Sequence, residues 1–198
     1  AGAYSPQGLQ IIDISTPGYF PTVGEVETGY VRDIYCTRNK LYVSDDGNLK
    51  IVDVSDPSFP VLGLWEGSYV AKVKCLGSTA YTIGAPQFQI LNVSDPGNIF
   101  EVGGLDELPN GAMNFAIQKN FAYLACGWAG LQIINTTDLT NPMHIGALES
   151  FENAVDIKVV GKYAYLLDLG NDWANCAVKV IDISNPADPF DVGEYATP

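Results

Sequence analysis

No run of about 18 consecutive apolar residues occurs in the chain, so it offers no apolar helix able to cross a bilayer. Basic side chains are few. Ten Lys and Arg stand against 23 Asp and Glu, a formal charge of -13. A nucleic-acid footprint is basic, so no nucleic-acid partner is expected. The same balance argues against docking on an anionic membrane, and no membrane insertion is expected. There is one histidine, His144, and four cysteines without any C-x-x-C spacing, which excludes a structural zinc site. G-x-S-x-G, the phosphate-cradling P-loop and G-x-G-x-x-G are all missing, and no catalytic residue is assigned. Ala1-Gly2-Ala3-Tyr4 has neither a basic start nor an apolar core, so no secretory leader is expected there.

What is present is repetition. Leu9-Gln10-Ile11-Ile12-Asp13-Ile14-Ser15 returns as Leu49–Ser55, Phe88–Ser94, Leu131–Thr137 and Val178–Ser184, at steps of 40, 39, 43 and 47 residues. Periods of this size indicate a repeat architecture. Each period holds short β-branched or aromatic segments bounded by Gly, Pro, Asn and Asp, the signature of strands and hairpins. In the first full copy these are 31–36, 41–43, 49–54 and 61–65. The repeat units run over about 1–28, 29–67, 68–107, 108–150 and 151–198. Four are complete four-strand meanders, and the first lacks its innermost strand, its second strand being placed at Ala3-Tyr4. No amphipathic helix is expected.

A four-strand unit cannot cover both its faces alone. Radial stacking solves this, so the expected fold is all-β, a β-propeller of about five four-stranded blades in one domain over 1–198. The incomplete first unit leaves three options open: residues that precede it in a longer chain, a three-stranded blade, or a strand lent by a partner. The polar residue at Asp13, Asp53, Asn92, Asn135 and Asp182 precedes Ser or Thr by two positions, which predicts a local turn lock. Two apparent glycosylation motifs, at Asn92 and Asn135, fall on that position and are discounted.

The pattern Ala-x-Asp-Ile, then Ala-Tyr-Leu, then Gly-Leu-Gln-Ile-Ile-Asp-Ile-Ser-x-Pro, then Pro-x-x-Val-Gly, resembles the LVIVD-repeat β-propellers. It is carried by Gly8–Ser15 with Pro17, Pro21, Val23 and Gly24, by Ala154–Leu166, by Gly130–Ile134 and by Val178–Pro186. The resemblance implies an extracellular or cell-surface module without a defined activity.

Strand order predicts that links between second and third strands share one side with the links between repeats. That side collects Asp45, Asp46, Asp168, Glu27, Glu66, Asp106, Glu107, Glu149 and Glu152. It also carries Trp128 in Cys126–Gly130 and Trp173 in Asn171–Asn175. Arg38, Lys40, Lys119 and Lys162 fall on the opposite side. Either each indole folds back to plug the gap between repeats, the usual fate of a large aromatic, or both stack on a sugar ring or a partner side chain. The candidate ligand-binding residues are Trp128, Trp173, Asn171 and Asp172. Asp45 and Asp46 are candidate calcium ligands, but they lack the spaced acids of an EF-hand loop, and solvated carboxylates are the preferred reading. No other cofactor is expected. Asp33, Lys72, Asn114 and Asp156 share an inner-strand position, where mixed charges neutralise one another. Cys36 and Cys75, in equal register, are too far apart to bond. Cys126 and Cys176, on one side, are the pair able to form a disulfide in an oxidising compartment, with buried thiols as the alternative.

The expected function is therefore a non-enzymatic surface or secreted module binding a protein or carbohydrate through its acidic-aromatic side. The alternatives are a hydrolase or lyase with a site at the axial channel, and a structural repeat that self-associates through its incomplete blade.

Overall fold

The short segments become 18 strands in the computed structural model, which describes residues 8–84, 87–170 and 176–196. Among these residues there is no α-helix, and the one helical feature is a 3-10 turn at Pro96–Asn98, which Asp95 caps by accepting from the Gly97 N–H. The first repeat contributes β1 (Leu9–Ile12) and β2 (Thr22–Val26), an antiparallel pair. The expected strand at Ala3-Tyr4 lies outside the described residues. Four four-stranded sheets follow. They are β3 (Val31–Cys36), β4 (Lys40–Asp45), β5 (Asn48–Asp53) and β6 (Val61–Trp65); then β7 (Lys72–Leu76), β8 (Thr79–Gly84), β9 (Gln87–Asn92) and β10 (Phe100–Leu105). Next come β11 (Asn114–Gln118), β12 (Phe121–Ala125), β13 (Leu131–Asn135) and β14 (Met143–Leu148), and finally β15 (Ala154–Val160), β16 (Tyr163–Asp168), β17 (Ala177–Asp182) and β18 (Phe190–Ala196). In every sheet spatial order follows chain order, as in a blade.

The chain divides into two units, Ala1–Thr82 with Leu91–Phe100, and Ile83–Ile90 with Glu101–Pro198. In the first, Leu9, Ile11 and Val26 pack on Leu41, Val43 and Val52. The other face of that second sheet, Tyr42, Leu49, Ile51 and Trp65, packs on Val73, Cys75, Ala80, Leu91 and Val93. In the second unit Tyr123, Ala125, Leu131 and Ile133 meet Ala154, Ile157, Ala164, Leu166, Ile181 and Ile183. Sheets stacked this way are β-propeller blades. Within each unit, consecutive repeats pack face to face. Apolar area removed from water stabilises each contact at roughly 25 cal/mol per Å².

Two repeated details fix the stacking. The third and fourth strands slip by one residue at the same place, between Ile11 and Ile12, Ile51 and Val52, Ile133 and Ile134, and Val180 and Ile181. Such a bulge bends the outer strand. Beside it stands a glycine: Gly24 opposite Ile11, Gly63 opposite Ile51, Gly146 opposite Ile133. A side chain at Gly24 would strike the Phe59 ring; at Gly63, Gly103 and Gly146 it would strike the carbonyls of Pro96, Leu139 and Pro186. The glycine is thus a socket, filled by the turn that follows the next repeat's third strand.

That turn is preformed. Asp13, Asp53, Asn92, Asn135 and Asp182 each accept the N–H two residues ahead at 2.8–2.9 Å. The expected lock is present in all five copies.

Candidate functional site

Hydrogen bonds show which loops share a side in each unit. In the first, Asp45 Oδ1 accepts the Gly29 N–H, Asp46 Oδ1 accepts the Tyr30 N–H and the Gly47 carbonyl accepts the Val70 N–H. The second-to-third-strand hairpin therefore lies with the links between repeats. Asp46 and Gly47 both have positive φ, as a two-residue type I′ turn requires. Both candidate calcium ligands are engaged: Asp45 also pairs with Lys50 Nζ at 2.5 Å, inside the protein, and Asp46 closes the loop. Among the described residues no group of three His, Cys, Asp or Glu side chains is placed to hold a metal ion.

Above that clamp the first unit presents an aromatic cluster that the sequence reading passed over. The Arg32 guanidinium lies 4.9 Å from the Tyr30 ring centre and 5.4 Å from that of Tyr69, and both tyrosines are exposed. Cation–π contact of this kind stiffens a surface aromatic. Tyr30 directly precedes the inner strand, a position the repeat alignment could have flagged.

In the second unit the corresponding hairpin carries Trp128. Its backbone is closed on itself: the Cys126 N–H donates to Gly130 O, the Ala129 N–H to Cys126 O and the Gly130 N–H to Gly127 O. Asn110 Nδ2 donates to Cys126 O at 3.1 Å, and Gln132 Nε2 donates to Ala129 O. Gly127 and Ala154 exchange both backbone bonds. Gly127 needs its positive φ and its missing side chain, since the Asn110 amide takes that space. On this rigid turn the indole is 70% exposed. It does not fold back into the gap between repeats. That role belongs to Trp65, buried beneath Gly67. Exposed Asp106, Glu107, Glu149 and Glu152 lie in the adjoining links. Trp173, Asn171 and Asp172 lie outside the described residues.

The Cys126 thiol is fully buried, and desolvation pushes its pKa up to about 12. Cys176, just before β17, is half-buried. The inner-strand polar residues bind one another: Asp33 accepts the Val73 N–H at 2.9 Å with Lys72 Nζ 3.8 Å away, and Asn114 Nδ2 donates to Asp156. His144 is exposed and hydrogen-bonds Gln132 Oε1 at 2.7 Å.

The described residues line open clefts, of which these are two. One of about 510 Å³ is lined by Glu27, Thr28, Gly29, Lys50 and Val61; another, of about 520 Å³, lies between the hairpin turns at Lys119 and Lys162. Neither gathers a pair of carboxylates.

The LVIVD repeat family model matches residues 3–28, 28–65, 110–149 and 153–197. The chain belongs to the LVIVD-repeat family. Its third repeat, at 68–107, falls outside these matches although it forms the same sheet. Among solved structures, a functionally unknown protein from Desulfotomaculum acetoxidans is 14% identical with a TM-score of 0.79, over 98% of this chain and 65% of its own. A protein from Lactobacillus plantarum is 16% identical with a TM-score of 0.77, over 98% and 66%. This LVIVD-repeat chain thus spans about two thirds of the length of both natural relatives. The computationally designed Ika4 protein is 11% identical with a TM-score of 0.64, over 80% of this chain and 95% of its own. These likenesses concern fold alone. No curated protein matches the sequence.

Proposed function

We propose that this LVIVD-repeat chain is a non-enzymatic recognition module that binds a protein or carbohydrate partner through its hairpin-loop side, outside the cell or at its surface. One observation carries the reading. A tryptophan held 70% exposed on a turn tied down by Asn110, Gln132 and Ala154 has no packing duty that explains it. Exposed aromatics on rigid loops supply contact area at little entropic cost and dominate interfaces when covered. Neighbouring Asn and acidic side chains supply hydrogen-bond acceptors and donors of the kind that fix a sugar ring or a peptide. The location rests on the repeat family alone.

The test is a titration of oligosaccharide and surface-protein panels followed by tryptophan fluorescence and calorimetry, with Trp128→Ala beside the unaltered chain. A ligand found this way loses at least roughly tenfold in affinity on Trp128→Ala, while thermal stability stays within about 0.5 kcal/mol of the parent. Binding that ignores Trp128→Ala, or turnover of any panel member, defeats the reading.

A further inference from the structure

The cleft of about 520 Å³ lies between the fourth and fifth repeats, inside the second unit. Its floor is formed by half-buried Phe121 and by Tyr123, whose ring centres stand 6.4 Å apart. Its rim is a pair of hairpin turns, Lys119-Asn120 and Gly161-Lys162. Gln118 Nε2 donates to the Gly161 carbonyl at 2.8 Å and ties one turn to the other. Small-ligand sites are built this way: concave, about 300–1,000 Å³, with an aromatic or apolar wall and a few fixed polar groups.

Charge in this cleft runs against the rest of the chain. Acids outnumber Lys and Arg by 23 to 10 overall, yet two lysines line the cleft and no acid does. Lys162 is already compensated. Its Nζ donates to Asp182 at 3.1 Å and lies 4.9 Å from the Tyr163 ring centre. Lys119 is exposed and, among the described residues, forms no ion pair.

Lys119 also stands where its backbone does not suit it. The first position of this two-residue turn has a positive φ in three repeats. The third and fifth repeats place glycine there, Gly77 at 63° and Gly161 at 61°. The fourth repeat holds Lys119 at 54°. A left-handed backbone is free for glycine and strained for a residue with a side chain. Strain retained at one copy of a repeated turn points to a use for that side chain.

We propose that this cleft binds a carboxylate carried on a ring, either an aromatic acid or an acidic sugar. The carboxylate meets the Lys119 ammonium, and the ring lies on Phe121 between the two turns. One uncompensated lysine matches one negative charge. No arginine lines the cleft, so a phosphate dianion is the poorer match. The site lies at the other end of β12 from the Trp128 hairpin and takes nothing from that reading.

Amide NMR titration of the labelled full chain provides the test. Benzoate and glucuronate are the two ring carboxylates, with glucose and inorganic phosphate as controls. At least one carboxylate gives saturable shifts at Lys119, Gly161 and Ser184 at millimolar concentration, and none at the Trp128 indole. The tighter of the two tells the aromatic acid from the sugar. Lys119→Gln keeps the strain, removes the charge and weakens binding at least roughly tenfold. Lys119→Arg keeps binding. Lys119→Gly loses binding yet melts no lower than the parent, because it restores the glycine of the sister turns. No saturable shift with either carboxylate overturns the proposal. So do binding unchanged in Lys119→Gln, glucose or phosphate binding as tightly as the carboxylate, and a Lys119→Gly chain that melts lower than the parent.

Discussion

Lys50 Nζ lies 2.5 Å from the Asp45 carboxylate and also donates to the Glu27 carbonyl at 2.8 Å. Asp45 in turn accepts the Gly29 N–H. The two side chains thus pin a link between repeats from both ends. The fifth repeat builds the same clamp: Lys179 sits 3.6 Å from Asp168 and donates to Ser150 O, while Asp168 accepts the N–H groups of Glu152 and Asn153. In the fourth repeat the equivalent residues are Cys126 and Gln132, and the adjoining link is held by the Gly127–Ala154 bridge instead. Lysine thus accompanies aspartate, and glutamine accompanies cysteine.

Lys50→Met is expected to be costly. It strands a carboxylate that is only 8% exposed, and removing one partner of a buried pair costs about 3–5 kcal/mol. Asp45→Asn is milder, because the amide oxygen still accepts the Gly29 N–H and Lys50 keeps the Glu27 carbonyl. The order of urea midpoints checks this: parent, then Asp45→Asn, then Lys50→Met. A Lys50→Met midpoint equal to that of the parent would mean the clamp is ornamental.

Acid stability follows from the turn locks. The Ser55 hydroxyl and N–H hold Asp53 below the ordinary carboxylate range, and those of Ser184, helped by Lys162, hold Asp182 at about 2. A depressed folded-state pKa contributes stability above the unfolded value of about 3.9, and that contribution is lost as pH falls through the folded value. For Asp182 the window therefore runs from about 4 down to about 2. Asn92 and Asn135 make the same bond without titrating. The double variant Asp53→Asn, Asp182→Asn should therefore unfold at lower pH than the parent in a circular dichroism titration. A midpoint that moves to higher pH contradicts the lock.

The fold was legible because one physical requirement is written five times. Strand period, turn residues and the Asp/Asn-x-Ser lock recur at fixed offsets, so local chemistry and long-range packing agree. The sides taken by the loops were legible for the same reason. The engagement of Asp45 was not, because one loop read alone cannot show that a lysine five residues on points back at it. The pairing becomes visible only when Asp45 with Lys50 is set beside Asp168 with Lys179 and Cys126 with Gln132. The exposure of Trp128 was equally out of reach. It depends on Asn110 filling the space beside Gly127, a contact from the link that leads into the same repeat's inner strand.

The socket glycines give the last prediction. Gly63 lies against the Pro96 carbonyl and Gly146 against that of Pro186, backbone groups that cannot swing aside. Gly63→Ala must therefore push neighbouring sheets apart, an overpacking cost of about 1–3 kcal/mol. Gly97 is the control: a side chain there meets nothing closer than Asp95 Oδ1 at 3.4 Å. Gly97→Ala is expected to stay within about 0.5 kcal/mol of the parent. Neither glycine has a positive φ, so the difference between the two isolates repeat-to-repeat contact. Thermal melts of both variants measure it directly. Equal melting temperatures would show that the turn after the third strand yields freely, and that the glycine is there for the bulge rather than for the neighbour.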